Sequence, residues 1–132
     1  FPASYRHLVA AAAVDSNKNR ASFSTYNDQV EISGPGVSVL STVPGDGYSS
    51  YSGTSMAAPN VSGVAAMVRS FFPKLKAHQV KKILMDSGMP LYPSVKNPDS
   101  GSLVHPKTLS RSGKMVNLYN ALIYASNKSY KK

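Results

Sequence analysis

The segment from Thr54 to Phe72 constrains the fold of this chain more than any other. Its apolar residues, among them Met56, Val61 and Val68, lie on nearly every side of a helical wheel. A helix of this kind is stable only when other elements cover it, so we expect it in the middle of a domain. Pro59 is compatible with the helix because it lies near the first turn, where backbone N–H groups have no helical partner.

Short apolar runs before this helix predict strands. The run Leu8–Val14 suggests a strand buried on both faces, as in a parallel sheet, although its alanines leave a helix as the competing reading. Val30–Ser33 and Val37–Thr42 are two further strand candidates. Between them stands Gly34-Pro35-Gly36, which breaks regular structure and lets the backbone turn sharply. The stretch at 44–47, Pro-Gly-Asp-Gly, is a strong turn signal.

Two more helices are predicted after the central one. Ala77–Ser87 is amphipathic, with Lys81 and Lys82 on its solvent side and Gly88 as a C-terminal cap. Asn117–Ala125 has apolar residues at helical spacing. Residues 89–112 are rich in proline and predict a long loop or insertion, and residues 126–132 form a basic tail that we expect to fray.

Composition excludes several classes of protein. The chain has 132 residues, of which 42% are hydrophobic and 16% charged, so it is long enough for one domain with a core and unlike a disordered chain. It contains no cysteine, which excludes a disulfide framework, a zinc ribbon and a thiol nucleophile. The longest apolar run, Leu8–Val14, is too short to cross a bilayer, so no membrane partner is expected.

The net charge of +9 is distributed unevenly along the chain. Residues 1–66 carry three basic and four acidic side chains, whereas residues 67–132 carry twelve basic and two acidic ones. Such a basic half raises nucleic acid as a partner. No interleaving of aromatic and basic residues and no groove-reading helix accompanies the charge, so we expect no nucleic-acid partner and interpret the lysines as surface residues.

A serine at the entry to the central helix is the strongest chemical signal. Gly53-Thr54-Ser55 leads into the helix, where unpaired N–H groups and the helix dipole would stabilise an oxyanion formed beside Ser55. The competing interpretation is that Thr54 or Ser55 is an ordinary N-cap, because serine and threonine are common at that position.

The residues around this serine resemble a segment of a known protein family. The segment from Gly53 to Ala66, GTSMAAPNVSGVAA, closely resembles the nucleophile segment of the subtilisin-like serine proteases, the subtilases. The resemblance covers about residues 2–88 and 112–125. Three features depart from the pattern: Gly34 stands where the family more often has alanine, Asn60 where it most often has histidine, and the segment 89–112 has no counterpart in the shortest members. Further matching segments are Pro2–Tyr5, Ala12–Asp15, Arg20–Ser24, Gly34–Val37 and Gly113–Asn117.

The resemblance implies an α/β fold with a mostly parallel sheet and helices on both faces, of which residues 1–132 supply the C-terminal part. It implies a serine endopeptidase in which Ser55 is the nucleophile and its backbone N–H one oxyanion donor. The Thr54 hydroxyl would lie close to that oxyanion, and Gly53 and Met56 would flank the nucleophile. Asn60 is interpreted as structural.

In this family the triad runs Asp, His and Ser along the chain, so the resemblance places the Asp and the His upstream. His7, His78 and His105 all lack the sequence context of the family's base. The five aspartates are interpreted as structural or solvated: Asp15, Asp28, Asp46, Asp86 and Asp99. We therefore expect an N-terminal companion chain from the same precursor, cut just before Phe1, and an inactive chain when it is alone.

Other implications concern partners and location. Polypeptides would be the substrates, and a propeptide or protein inhibitor would be a further partner. Calcium is bound by many members, and we expect it only in the complete domain, since no carboxylate cluster or metal-ligand spacing stands in this sequence. The usual location of family members favours a secreted or periplasmic protein. The alternative function is a catalytically inactive homologue that acts as a binding or scaffold protein.

Overall fold

The structure, a computed structural model, describes residues 3, 5, 7–91, 94–97 and 99–128. Its α-helices in this part are α1 (Thr54–Phe71), α2 (Ala77–Ser87) and α3 (Leu118–Asn127). Its strands are β1 (Ala11–Val14), β2 (Ile32–Pro35), β3 (Val39–Val43), β4 (Gly47–Tyr51), β5 (Met89–Pro90), β6 (Val95–Lys96), β7 (Leu103–Val104) and β8 (Lys114–Met115). A short 3-10 helix spans Pro106–Thr108.

The main sheet has the strand order β1-β2-β8-β5. Strand β2 is parallel to both β1 and β8, whereas β5 is antiparallel to β8. The predicted parallel strand at Leu8–Val14 is thus confirmed in its second half, and the competing helix is wrong. The first half is not a strand: Leu8 and Val9 are 42% and 37% exposed.

The three helices lie on one face of this sheet. Residues of α1, α2 and α3 share one apolar cluster with Ile32 of β2 and Val116 after β8. Successive residues of a strand point to opposite faces, and Val14 accordingly packs on the other face, in a second cluster with Leu91, Val95 and Leu109. The architecture is α/β, as expected; in this chain the second face is covered by the 89–112 segment.

The Gly34-Pro35-Gly36 segment does not break the sheet as predicted, because Gly34 and Pro35 are the last two residues of β2. Pairing with β8 ends at Ser33, so the missing N–H of Pro35 interrupts no described hydrogen bond there. The predicted strand Val30–Ser33 is accordingly shifted by two residues.

The predicted turn at 44–47 joins an antiparallel hairpin. Strands β3 and β4 pair from Val39 opposite Tyr51 to Val43 opposite Gly47. Gly45 and Asp46 both have positive φ angles, of 85° and 57°, which suits glycine and aspartate better than most residues. Strand β3 therefore begins two residues later and ends one residue later than the predicted Val37–Thr42, and β4 was not predicted at all.

The helix predictions are confirmed with small changes at their ends. Helix α2 has the predicted bounds, and α3 begins one residue later because the Asn117 side chain accepts from the Asn120 N–H as an N-cap. Helix α1 ends at Phe71. The basic tail predicted for 126–132 begins too early, since Ser126 and Asn127 belong to α3, and its residues 129–132 lie outside the described residues.

The described residues within 89–112 include short strands and buried apolar side chains. Strands β6 and β7 form a small hairpin, and Val95 and Leu109 are buried against Val14. The hairpin also binds the loop after β1, since Arg20 donates from Nη2 to the Asp99 carboxylate at 2.7 Å. The structure adds to the expected long loop or insertion that described residues of this segment supply apolar cover for one sheet face.

Candidate active site

The first turn of α1 lies against the carboxyl ends of β1 and β2. The Gly36 N–H donates to the Val14 carbonyl at 3.1 Å, and the Gly36 carbonyl accepts from the Gly53 N–H at 2.8 Å. A Cβ on Gly36 would lie 2.6 Å from the Ala13 Cβ and 2.8 Å from the Gly53 carbonyl. Glycine at this position therefore allows the start of α1 to sit directly on the sheet edge, where ligands bind in open α/β sheets.

Ser55 lies in the first turn of α1 and is exposed. The N-cap of this helix is Gly53, and no side chain caps it. The competing reading of Thr54 or Ser55 as an ordinary N-cap is therefore wrong. In the described part of the chain, no hydrogen bond occupies the Ser55 hydroxyl or the backbone N–H groups of Thr54 and Ser55. These groups remain available to a ligand at the positive end of the helix dipole.

The neighbours of Ser55 are held by the helix itself. Met56 and Ala57 both donate backbone N–H bonds to the Gly53 carbonyl, at 3.0 and 3.3 Å. Thr54 and Met56 are half-buried beside the exposed Ser55. The arrangement resembles an oxyanion site, because an anion next to the Ser55 hydroxyl would find free amides and no competing acceptor.

Asn60 connects the helix to the sheet. Its Nδ2 donates to the Pro35 carbonyl at 3.1 Å and to the Met56 carbonyl at 3.0 Å. These bonds fix the first turns of α1 relative to the end of β2, in line with the structural role expected for Asn60.

Three histidines, His7, His78 and His105, were interpreted as unlike the family's base. None of them forms a hydrogen bond with Ser55 in the described part of the chain. His7 and His78 line a cavity at the other end of the sheet, and the His105 Nδ1 accepts from the Lys107 N–H at the start of the 3-10 helix. Nor does any aspartate of the described residues bond to Ser55. Asp15, for example, accepts from the backbone of its own loop, at Asn17 and Asn19.

Arg20 and Gly36 are residues near this site whose roles the sequence did not reveal. Arg20 is buried, donates from Nη1 to the Ser24 carbonyl and lies 4.3 Å above the Tyr26 ring. The Ser24 hydroxyl accepts in turn from the Ala13 N–H at 2.9 Å, and Ala13 packs on Ala57 of α1. A lone arginine in a polar loop carries no sequence signal for this role, whereas the Gly-Pro-Gly segment could have indicated close packing.

No group of three histidine or acidic side chains is arranged to hold a metal ion in the described part of the chain. Across the same residues, no helix combines the length and the apolar character needed to span a bilayer.

Comparison with known proteins gives consistent results. The sequence model of the subtilase family matches residues 1–114. Subtilisin DY of Bacillus licheniformis is 52% identical over 84 residues, which are 64% of this chain and 31% of that protein. A thermostable alkaline protease of Halalkalibacterium halodurans is 54% identical over 82 residues, or 62% of this chain and 23% of that protein.

The fold comparison agrees with the sequence comparison. The structure of the prenylagaramide maturation protease PagA superposes with a TM-score of 0.74 at 28% identity and covers 93% of this chain. The chain covers 44% of that structure and less than a third of the two proteases above. It therefore corresponds to only a part of each protein that it matches.

Proposed function

This chain belongs to the subtilase family, and from that premise we propose that it supplies the nucleophile part of a serine endopeptidase. The observation that carries the proposal is the state of Ser55: an exposed hydroxyl on an uncapped helix N-terminus, next to backbone N–H groups without described partners. Hydrolysis of a peptide bond needs such a nucleophile beside donors for the developing oxyanion.

In the proposed reaction the Ser55 hydroxyl attacks the scissile carbonyl carbon, and a histidine accepts its proton. The Ser55 N–H donates to the tetrahedral oxyanion, with Thr54 beside it. The histidine then protonates the leaving amine, and water releases the acyl group by the same route in reverse. The histidine and its orienting aspartate are assigned to an upstream companion, because no described side chain of this chain bonds to Ser55.

The exposed side of α1 supports a companion. Ala57, Val61 and Val68 are buried on the sheet side, whereas Ala66 is exposed and Met67 is 43% exposed on the outer side. The prediction that the whole helix is covered is therefore wrong for this chain by itself. An apolar outer side of this kind loses free energy in water unless another element covers it. Our proposal assigns that cover to the companion.

The experiment is labelling of Ser55 with a fluorophosphonate, on the chain alone and together with the companion. We expect labelling and peptide hydrolysis only in the complex, and neither in a Ser55→Ala variant. The matched control is Ser62→Ala, an exposed serine of the same helix whose loss should leave the label intact. Without a base the serine hydroxyl keeps its proton, so the rate should fall by several powers of ten.

Two results would contradict the proposal. Hydrolysis by the chain alone, lost in Ser55→Ala, would mean that this chain contains its own base. A complex that assembles and never reacts with the label would favour the alternative, an inactive homologue with a binding or scaffold role. We also propose a secreted or periplasmic location, which rests on the family's habit and is tested by fractionating cells that express the precursor.

A further inference from the structure

A cavity of about 620 Å³ lies at the end of the sheet opposite Ser55. Its lining includes Val9 and Glu31, which precede β1 and β2, and Arg69 in the last turn of α1. Ser55 and Arg69 are separated by about 20 Å along the helix, at about 1.5 Å per residue. The cavity is therefore separate from the candidate active site. Its volume falls within the range of about 300–1,000 Å³ that is usual for ligand sites.

Two arginines, Arg69 and Arg111, line this cavity with terminal N–H groups that bond to no other described residue. Arg69 makes no hydrogen bond or ion pair with another described residue, and Arg111 uses only its Nε, which donates to the Asp28 carbonyl at 3.2 Å. Two histidines, His7 and His78, add ring nitrogens to the same lining. Guanidinium groups with free terminal N–H donors are well suited to binding carboxylates in a bidentate manner.

The one carboxylate among the described lining residues is already neutralised. Glu31 is buried, and it accepts from the Lys81 Nζ at 2.6 Å and from the Ala10 N–H at 2.7 Å. Lys81 also donates to the Leu8 carbonyl at 2.6 Å, so its ammonium group bonds to the protein rather than to a ligand in the cavity. The two arginines consequently give the opening an uncompensated positive charge.

Apart from Gln29 and the exposed Tyr5, the remaining described lining is apolar. Val80 and Leu84 of α2 are almost fully buried at the base, and Ala65 of α1 and Val9 complete this part of the wall. An apolar base below a cationic rim matches a ligand that carries an apolar group next to carboxylates. Inorganic anions would leave the apolar base uncovered.

We propose that this cavity is an exosite for an acidic peptide segment, in which an apolar side chain enters the base and neighbouring carboxylates bind Arg69 and Arg111. The proposal deepens the endopeptidase function proposed above and rests on it for its biological use: the segment would belong to a polypeptide substrate or to a propeptide. Binding at the exosite would raise the local concentration of such a polypeptide without contributing to the chemical step.

The test is a binding measurement on Ser55→Ala protein, which keeps a peptide from being cleaved. The probe is a fluorescein-labelled hexapeptide of alternating leucine and glutamate, and its control replaces each glutamate with glutamine. The full chain is titrated alone and with the companion, and fluorescence anisotropy gives Kd. We expect the acidic probe to bind, the neutral probe to bind at least about tenfold more weakly, and added salt to weaken binding.

Matched variants separate the site from general electrostatic attraction. The double variant Arg69→Gln and Arg111→Gln should weaken binding of the acidic probe at least about tenfold. Lys18→Gln with Lys96→Gln removes the same charge from exposed residues elsewhere and should leave binding almost unchanged. Equal loss in both double variants, equal binding of the two probes, or no binding would each overturn the exosite. If the acidic probe binds but Ser55 of the unsubstituted protein is never labelled, the exosite proposal stands and the proposed protease function is wrong.

Discussion

Gly36 has no room for a side chain, and this fixes how the Ser55 helix meets the sheet. A Cβ there would contact the Ala13 Cβ at 2.6 Å and the Gly53 carbonyl at 2.8 Å, which are both closer than normal contacts. Neither neighbour can move freely, since Ala13 belongs to β1 and Gly53 is the N-cap of α1. The geometry around Ser55 therefore depends on a residue nineteen positions earlier in the chain.

We predict that Gly36→Ala destabilises the protein by about 1–3 kcal/mol, because the start of α1 must shift away from the sheet. Chemical denaturation monitored by circular dichroism measures this change. Gly63→Ala is the matched control, since a Cβ there meets no atom within 4 Å and alanine favours a helix by about 1 kcal/mol. If the two variants were equally stable, the close packing at Gly36 would be of no energetic importance.

At the scale of elements, the hairpin of β6 and β7 is held against the loop after β1 by one buried cation. The Arg20 side chain is 3% exposed and joins Ser24 of its own loop to Asn97 and Asp99 of the hairpin. Its Nε lies buried without a described partner. Arg20 therefore depends on Asp99 for the compensation of its charge.

We predict that Asp99→Ala lowers the free energy of unfolding by about 1–3 kcal/mol, because a buried guanidinium loses its ion-pair partner. Urea denaturation gives the change, and limited proteolysis should cut within residues 94–104 more rapidly. Asp28→Ala serves as control, since Asp28 is exposed and forms no described ion pair. Equal stability of the two variants would contradict the role assigned to Asp99.

Asp86 joins α2 to α3. Its carboxylate accepts from the Tyr124 hydroxyl at 2.7 Å and pairs with Lys82 at 2.8 Å. Burial alone would raise the pKa of Asp86, but the hydrogen bonds from Lys82 and Tyr124 and the charges of Lys82 and Lys114 lower it below its ordinary value.

Because the pKa of Asp86 is lower in the folded state, its stabilising contribution is complete above the ordinary value of 3.8 and is lost as the pH falls below that value toward the folded pKa. We predict that Asp86→Asn flattens the acid side of the stability profile. Urea denaturation over a pH series measures it, with Asp28→Asn as the exposed control. An unchanged profile in Asp86→Asn would show that Asp86 is not linked to acid unfolding.

At the scale of the whole molecule, the described part of the chain has a closed apolar interior under its helices, a smaller cluster on the other sheet face and an open apolar side. The interior lies between the three helices and the sheet, around Ile32 and Ile83. The open side is the outer side of α1, which presents small and apolar residues to solvent, including Ala58 and Ala66. A surface like this is expected of one part of a larger domain.

We predict that Ala66→Glu leaves the free energy of unfolding of the chain alone almost unchanged, because Ala66 is already exposed. The same change should prevent assembly with the proposed companion, since a carboxylate would be buried without a partner. Size-exclusion chromatography of the mixture measures assembly. Ser126→Glu on α3 is the exposed helical control. Assembly that is unaffected by Ala66→Glu would mean that the companion does not cover this side of α1.

The sequence by itself determined the elements whose signals are local. The spacing of apolar residues predicted all three α-helices, and the Pro-Gly-Asp-Gly stretch predicted the turn before β4. Ser55 was predicted as the nucleophile from the resemblance of residues 53–66 to the subtilases, since the helix start alone also fitted an ordinary N-cap, and this role stays a prediction. For segment 89–112 the sequence predicted only a long loop or insertion, because its short strands are stabilised by distant residues and not by their own sequence.

Only the tertiary structure decided which polar side chains act together. Arg20 meets Asp99 across 79 positions, and Lys81, predicted to be on the solvent side of α2, instead meets Glu31 across 50 positions. Periodicity gives the side of a helix on which a residue lies, but it does not say whether another element brings a carboxylate to that side. The physical reason is that burial and pairing of charge depend on the path of the chain in three dimensions. The surroundings of Ser55 also depend on tertiary packing. The sequence places Ser55 at a helix start, and the structure joins the N-cap Gly53 to Gly36, with no side chain capping the helix and the serine exposed.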